Sequence, residues 1–209
     1  MKITDISMAI HETMPTYKNR ENKRPQRIIE ASLPEDSVNE SAIRMNLHTG
    51  THMDTPRHMM NSGWTMEDMP LERLITPCVV FDLTECEDCI KQEDLLNLDI
   101  RPGDFVLLKT KNSFGLVGSP EFIYIRKDAA EYLVQKGIKG IGTDALGVER
   151  DQPGYPTHLT FMNNYVLILE GLDLKNAKEG RQTLIVLPLK ILGAEGAPAR
   201  AVLVDGFAL

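Results

Sequence analysis

Residues 48–58 read HTGTHMDTPRH, and this stretch holds three of the chain's five histidines around a glycine and a proline that disfavour a helix. In an extended chain, side chains alternate between two faces with a period of two. His48, His52 and Asp54 then point to the same side, and Gly50 between them has no side chain to block the space. The spacing therefore predicts an extended segment with three polar side chains converging on one point.

Two imidazoles and a carboxylate suit zinc or another first-row divalent ion, and three protein ligands leave a position for the water that a catalytic site needs. A polar strand without a metal is the alternative. Pro56 is expected to turn the chain out of the strand. His58, beyond it, is then predicted to act as a general base or acid, because the pKa of histidine is close to neutral pH.

Charge and composition restrict the class of protein. The net charge of −7, from 30 acidic and 23 basic residues, argues against nucleic-acid binding. No run approaches the roughly 20 apolar residues of a membrane span, and the N-terminal residues lack the layout of a signal peptide, so we expect a cytoplasmic protein without membrane contact. The basic stretch 18–27 is predicted to be a solvated loop; a subunit contact or a site for an anionic substrate group is the alternative.

The three cysteines fit a reducing compartment. Cys86 and Cys89 form a lone CEDC pair without the second pair, or the two spaced histidines, that a zinc ribbon needs. The acidic residues around them would raise the pKa of a thiol, which disfavours a redox role. We therefore interpret this pair as part of an ordinary loop.

Short apolar runs separated by turn residues predict a single α/β domain over residues 1–209, with strands outnumbering helices. The predicted strands are 2–7, 26–33, 41–50, 78–83, 104–110, 139–144, 164–172, 182–190 and 200–206. The predicted helices are 120–136, between Pro120 and Gly137, and two short ones at 64–74 and 93–99.

The pattern H-x-G-T-H-x-D-x-P-x-H resembles the signature of the cyclase-like metal-dependent hydrolases, a family that includes the bacterial kynurenine formamidases. All seven fixed positions are met, namely His48, Gly50, Thr51, His52, Asp54, Pro56 and His58. The likeness extends along nearly the whole chain, from ITDIS through VVFDLT, RPGDFVLLKT and GIKGIGTDALGVE to HLTFMNNYVLILEGL.

The resemblance implies a two-metal centre completed by a distant histidine and by a glutamate twelve residues later, which His158 and Glu170 match. By analogy, His48, His52 and Asp54 would hold one ion, zinc or manganese. Asp54 and Glu170 would bridge to a second ion that His158 helps to hold. The resemblance also implies a swivelling β/β/α fold, and a homodimer or homotetramer in which a neighbouring subunit lies near the pocket.

The implied chemistry is hydrolysis of a small amide, an aryl formamide such as N-formylkynurenine in tryptophan catabolism, by a metal-bound hydroxide. A divalent ion lowers the pKa of bound water from 15.7 to about 7, and His58 would pass a proton from the water to the leaving amine. The Trp-Pro-Gly-Asp element of kynurenine formamidases is missing from residues 11–25.

This departure leaves the substrate open, and three functions are considered. They are an aryl formamidase, a hydrolase or lyase on the same scaffold acting on a cyclic imide such as isatin or on a lactone, and a non-catalytic metal-binding protein. Tyr17, Trp64 and Phe161 could stack on an aromatic substrate, or could serve only in packing.

Overall fold

A computed structural model of the chain describes residues 1–206. Twelve strands and three α-helices occur in that range, so the mixed α/β architecture with an excess of strands is confirmed. The strands are β1 Lys2–Asp5, β2 Gln26–Ala31, β3 Glu40–Arg44, β4 His52–Asp54, β5 Ile75–Asp82, β6 Cys89–Ile90, β7 Phe105–Lys109, β8 Tyr124–Ile125, β9 Gly140–Thr143, β10 Leu167–Glu170, β11 Gly180–Pro188 and β12 Gly196–Asp205. The helices are α1 Gln92–Leu95, α2 Lys127–Gln135 and α3 Pro156–Asn163.

Eight strands form one sheet in the order β1-β12-β11-β5-β7-β9-β10-β4. The successive pairs from β5 through β7 and β9 to β10 are parallel, and the other pairs in this sheet are antiparallel. One helix lies in each connection between successive parallel strands, as such crossovers require. Because β4 pairs with both β10 and β12, the sheet closes on itself.

Alternating side chains divide the sheet into two apolar faces. Val80, Phe105 and Leu107 belong to a cluster enclosed by the sheet. Their neighbours Val79 and Val106 belong to a second cluster, which α1, α2 and α3 cover. Buried strands with both faces covered explain the nearly continuous Val, Ile and Leu runs in the sequence.

The same alternation places the polar residues of β4 and β10. Met53 lies in the enclosed cluster, so His52 and Asp54 on either side of it face the helical layer. Ile168 packs in the helical layer, and Glu170, two residues further, faces the same way. These groups therefore meet at the carboxyl ends of the parallel strands, where ligands commonly bind in α/β sheets.

The helix predictions are correct only in part. The predicted helix 120–136 begins at Lys127, because residues 124–125 pair with β6 as strand β8. Residues 64–74 form two separate 3-10 turns, Met66–Asp68 and Leu71–Arg73, interrupted at Pro70. The predicted helix 93–99 shortens to α1. The sequence analysis missed α3 altogether.

Strands β2 and β3 form a separate antiparallel hairpin away from the closed sheet. Its Ile28, Ile29 and Ile43 are exposed by 48%, 63% and 55%. Exposed apolar patches commonly mark surfaces that contact another molecule. Within the described residues, no helix combines the length and the apolar character that crossing a membrane requires.

Candidate metal centre

His48 reaches the same point as His52 and Asp54, although the backbone differs from the prediction. The strand begins only at His52, and residues 48–51 form a turn in which Gly50 has a φ of +64°. This turn folds His48 back, so that its Nδ1 lies 2.9 Å from Asp54 Oδ1. Gly196, opposite Asp54 on β12, makes room for the ring, since a Cβ there would lie 2.8 Å from His48 Cε1.

Glu170 joins this group through strand pairing. It lies directly opposite His52 in the antiparallel register of β10 with β4. His52 Nε2 is 3.2 Å from Glu170 Oε2 and 3.5 Å from Asp54 Oδ1. All three side chains are almost completely buried. Their donor atoms lie within 4.8 Å of one another, which is close enough for one cation to contact all three.

His158 comes from the first turn of α3. Its Nε2 lies 3.5 Å from Glu170 Oε1 and 4.0 Å from Asp54 Oδ2, and the residue is 6% exposed. The structure thus brings the two distant residues, His158 and Glu170, to the histidine stretch of residues 48–58. The spacing of twelve residues reflects a helix that begins at this centre and a strand that ends at it.

Hydrogen bonds set which ring nitrogen of each histidine faces the centre. His52 Nδ1 donates to the carbonyl oxygen of Gly50 at 2.8 Å, and His158 Nδ1 donates to Glu149 Oε2 at 2.6 Å. In their neutral forms, both rings then present an unprotonated Nε2 to Asp54 and Glu170. Metal-binding histidines in proteins typically have this arrangement, with the second ring nitrogen bound to a carbonyl or a carboxylate.

Glu149 is a functional candidate that the sequence analysis missed. It is 3% exposed and lies in the loop between β9 and α3. The sequence indicates this region only through Pro156, because proline suits the first position of a helix and so marks the start of α3. Glu149 lies eight positions before Thr157, whose backbone N–H it accepts, so no local capping pattern reveals it.

The donor set fits a divalent cation. Asp54 Oδ1, Asp54 Oδ2 and His52 Nε2 are buried and make no hydrogen bond of acceptable geometry within residues 1–206, despite the short approach of His48 to Asp54. A buried carboxylate is costly unless it is paired or coordinates a metal. Oxygen and imidazole donors left without partners in this way are what a first-row divalent ion requires.

The charges of these groups are strongly coupled. Burial and the charge of Glu170 act to raise the pKa of Asp54, but His48 and His52 outweigh them and lower it. Burial would likewise raise the pKa of Glu170, which His158 and His52 hold well below its usual value. Burial lowers the pKa of His158, but the carboxylates of Glu149 and Glu170 raise it to about 10. The centre therefore favours positive charge strongly.

His58 lies at the edge of this centre. As predicted, the chain leaves the strand at Pro56, and Pro56–His58 forms a 3-10 turn. The His58 ring centroid is 4.2 Å from that of His48, and His58 can place a nitrogen within 4.8 Å of donor atoms of His48 and Asp54. Burial, the largest effect, lowers the pKa of His58 below its usual value.

The three aromatic residues predicted as candidates for stacking differ in their burial. Phe161 is completely buried in the helical layer, so it is not available for stacking. Trp64 packs against the enclosed cluster but is only partly buried, and it lines a cavity of about 180 Å³. Tyr17 lines a cavity of about 290 Å³ together with Glu149 and Tyr155. The ring of Tyr155 is 6.4 Å from that of His158, so this cavity lies beside the centre.

Comparison with known proteins agrees with a metal centre at this position. The family model described as "Putative cyclase" matches residues 4–150. The chain belongs to the cyclase family. It is 33% identical to the kynurenine formamidase of Salinibacter ruber over 210 residues, which cover 98% of each protein.

Solved structures extend the comparison to the whole cyclase fold. A protein described as a "potential metal-dependent hydrolase with cyclase activity" superposes with a TM-score of 0.91 at 47% identity over 99% of both chains. Isatin hydrolase A from Labrenzia aggregata gives 0.84 at 23% identity over 97% of this chain and 93% of that one, which shows a shared fold. The chain is thus a cyclase-family hydrolase, and its candidate centre together with these relatives supports a divalent metal ion as cofactor.

Proposed function

We propose that the chain hydrolyses a small amide, an aryl formamide of the N-formylkynurenine type, to the free aryl amine and formate. The observation that carries this proposal is the pair of buried Asp54 oxygens without hydrogen bonds, surrounded by imidazole nitrogens and next to His58. The 33% sequence identity to a kynurenine formamidase, over 98% of each chain, supports the substrate class.

Two sets of residues would hold the metal, zinc or alternatively manganese. His48, His52 and Asp54 would bind one ion, and Asp54, Glu170 and His158 would bind a second. When bound, such an ion lowers the pKa of a water and polarises the substrate carbonyl. The carboxylates would also balance the charge of the ion, since Asp54 and Glu170 are held in the charged form.

The chain's own residues supply the proton transfer and the binding surface. The ring of His58, kept neutral by burial, would accept a proton from the attacking water and deliver it to the leaving amine. The cavity between Tyr17 and Tyr155 would receive the aryl group beside His158. Two tyrosine rings at its wall suit a flat aromatic substrate.

A second substrate class, a cyclic imide such as isatin or a lactone, is favoured by one observation. Residues 11–25 lack the Trp-Pro-Gly-Asp element of kynurenine formamidases, and Tyr17 of this segment lines the cavity. A different segment at the cavity wall is expected to change which substrate fits. The same metal and the same proton transfer would serve ring opening.

The experiment is a hydrolysis assay of the purified protein with N-formylkynurenine, isatin and a simple aryl lactone. Each substrate is tested as purified, after chelation, and after zinc or manganese is added back. The proposal expects N-formylkynurenine to give the highest kcat/KM and chelation to abolish it. A preference for isatin or the lactone would select the second class. Stoichiometric metal with no turnover of any substrate would indicate a non-catalytic metal-binding protein.

We also propose that the chain works as a homodimer or homotetramer. The exposed apolar face of the β2–β3 hairpin, with Ile29 and Ile43, supports this. Light scattering after size exclusion should give a mass of two or four chains, and Ile29→Lys with Ile43→Lys should reduce it. A monomer in the wild type would contradict the proposal.

A further inference from the structure

Among the described residues of the centre, Glu149 is the buried carboxylate that contacts the Nδ1 side of the His158 ring. Its Oε2 accepts the Nδ1–H of His158 at 2.6 Å, on the side of the ring away from Asp54 and Glu170. We propose that Glu149 is a positioning residue, which fixes the tautomer and the direction of the His158 ring so that Nε2 serves as a metal ligand. This inference rests on the proposed function.

The same carboxylate also fixes the backbone that carries the ring. Glu149 Oε1 accepts the backbone N–H of Thr157 at 2.7 Å, and Oε2 accepts the backbone N–H of His158 at 3.1 Å. These are donors of the first turn of α3, which have no partner inside the helix. Tyr155, the residue that precedes α3, provides no side-chain cap. Ring and helix start are therefore held by one group, which leaves little freedom for the position of Nε2.

Both oxygens of Glu149 are needed as acceptors. Gln152 Nε2 donates to Oε1 at 3.1 Å, so that Oε1 and Oε2 each accept two hydrogen bonds. A glutamine at this position would offer one acceptor and one donor. If its amide nitrogen faced His158, the ring would have to accept at Nδ1 and carry its proton on Nε2, which cannot then bind a metal. If the amide nitrogen faced Thr157, two donors would meet at the helix start.

The test is a titration of the metal-free protein with Co²⁺, followed by the visible absorption of the bound ion, which is sensitive to ligand geometry. Glu149→Gln is compared with wild type, with His158→Ala as the reference for loss of the ligand. Gln152→Ala is the matched control, because it removes a hydrogen bond to Glu149 without touching His158. The thermal midpoint of each metal-free variant shows that it is folded.

We expect E149Q to lose affinity at the same titration step as His158→Ala, by about 10–100-fold, the usual effect of losing a partner behind a metal ligand. Gln152→Ala should titrate like wild type. Glu149→Asp keeps the charge on a shorter side chain, so its affinity should fall between those of wild type and E149Q; it serves alone if E149Q does not fold.

The inference is overturned if E149Q binds Co²⁺ with wild-type affinity and absorption and differs only in a lower thermal midpoint. Glu149 would then be a helix cap alone. If E149Q does not fold, the same result in Glu149→Asp overturns the inference. Failure of the proposed function gives a different result. In that case the wild-type chain takes up Co²⁺ but hydrolyses none of the substrates, and the comparison of E149Q with wild type still decides the inference. A wild-type chain that takes up no Co²⁺ would overturn both.

Discussion

Asp54 lies close to three histidines of the candidate centre. Its carboxylate lies 2.9 Å from His48 Nδ1, 3.5 Å from His52 Nε2 and 4.0 Å from His158 Nε2, and it is buried. An isolated carboxylate in such surroundings would take up a proton, yet the histidines keep the pKa of Asp54 low. A buried carboxylate with these neighbours is suited to contact a divalent cation.

His58 provides the sharpest test at the residue scale. His58→Ala should keep the metal content of the wild type and lower turnover by about 10²–10⁴-fold, because a general base contributes this much to proton transfer. Metal content is measured by elemental analysis after desalting, and kcat on the best substrate. His52→Ala is the matched comparison and should lose metal as well as activity.

The result is informative because His58 is also close enough to be a ligand of the ion near His48 and Asp54. Loss of metal in His58→Ala, to the level of His52→Ala, would reassign His58 from proton transfer to coordination.

Gly171, directly after β10, is predicted to be intolerant of any side chain. Its φ is +66°, and a Cβ would lie 2.1 Å from the carbonyl oxygen of Gly50. Gly103 is the control, since its φ is +83° but a Cβ there meets no described atom within 4 Å. Gly103→Ala should cost about 1–2 kcal/mol from the left-handed backbone alone. Gly171→Ala should cost a further ~1–3 kcal/mol from overpacking.

Urea denaturation measures both free energies of unfolding. Equal costs for the two substitutions would mean that the loop around Gly50 moves aside freely, and that the close approach of the two loops does not hold the centre together.

At the scale of elements, the carboxyl ends of β7 and β9 are joined by a buried polar network around Asp144. Its carboxylate accepts five hydrogen bonds, from the backbone and hydroxyl groups of Thr110 and Ser113 and from Asn112 Nδ2. Asp144→Asn replaces one acceptor oxygen by a donor that faces other donors. We expect a loss of about 2–4 kcal/mol in the free energy of unfolding.

Asp82, at the carboxyl end of the neighbouring β5, is the matched control. It contacts Thr84 and Lys109, and its side chain is 36% exposed. Asp82→Asn should cost less than about 1 kcal/mol, as surface pairs usually do. Thermal or urea unfolding compares the two, and a similar small cost for Asp144→Asn would show that its network is dispensable.

The elements also show how far local sequence can predict this fold. Alternation correctly placed His52 and Asp54 on one face of β4, because both are strand residues with a buried Met53 between them. It was wrong about the backbone at His48, since that ring reaches Asp54 from a turn that depends on the left-handed conformation of Gly50. Glycine adopts that conformation as readily as an extended one, so the pattern alone could not distinguish them.

Helix α3 was missed for a different reason. Residues 156–163 are apolar on several sides, since Phe161 and Met162 pack in the helical layer while His158 faces the centre. Such a helix lacks the one-sided stripe that indicates an amphipathic helix. Its start depends on Glu149, a residue eight positions before Thr157, which only the folded chain brings into contact.

At the scale of the whole molecule, closure of the sheet assembles the centre. β4 lies between β10 and β12, so residues near position 52 meet residues near 170 and 196. No local pattern encodes pairing over such separations. His158 and Glu170 could be assigned in advance only through the resemblance to a family whose spacing they match.

The same long-range assembly is expected to make the stability of the molecule sensitive to metal. Three parts of the closed fold meet at Asp54, Glu170 and His158, so an ion bound there stabilises the folded state and not the unfolded chain. At a free ion concentration of 100 Kd the gain is about 2.7 kcal/mol. For a chain of this size it should raise Tm by roughly 5–11 °C. Calorimetry with excess chelator, and then with zinc or manganese, measures this shift. Asp54→Asn should unfold at the same temperature with and without the ion, whereas an equal shift in that variant would place the stabilising ion elsewhere on the molecule.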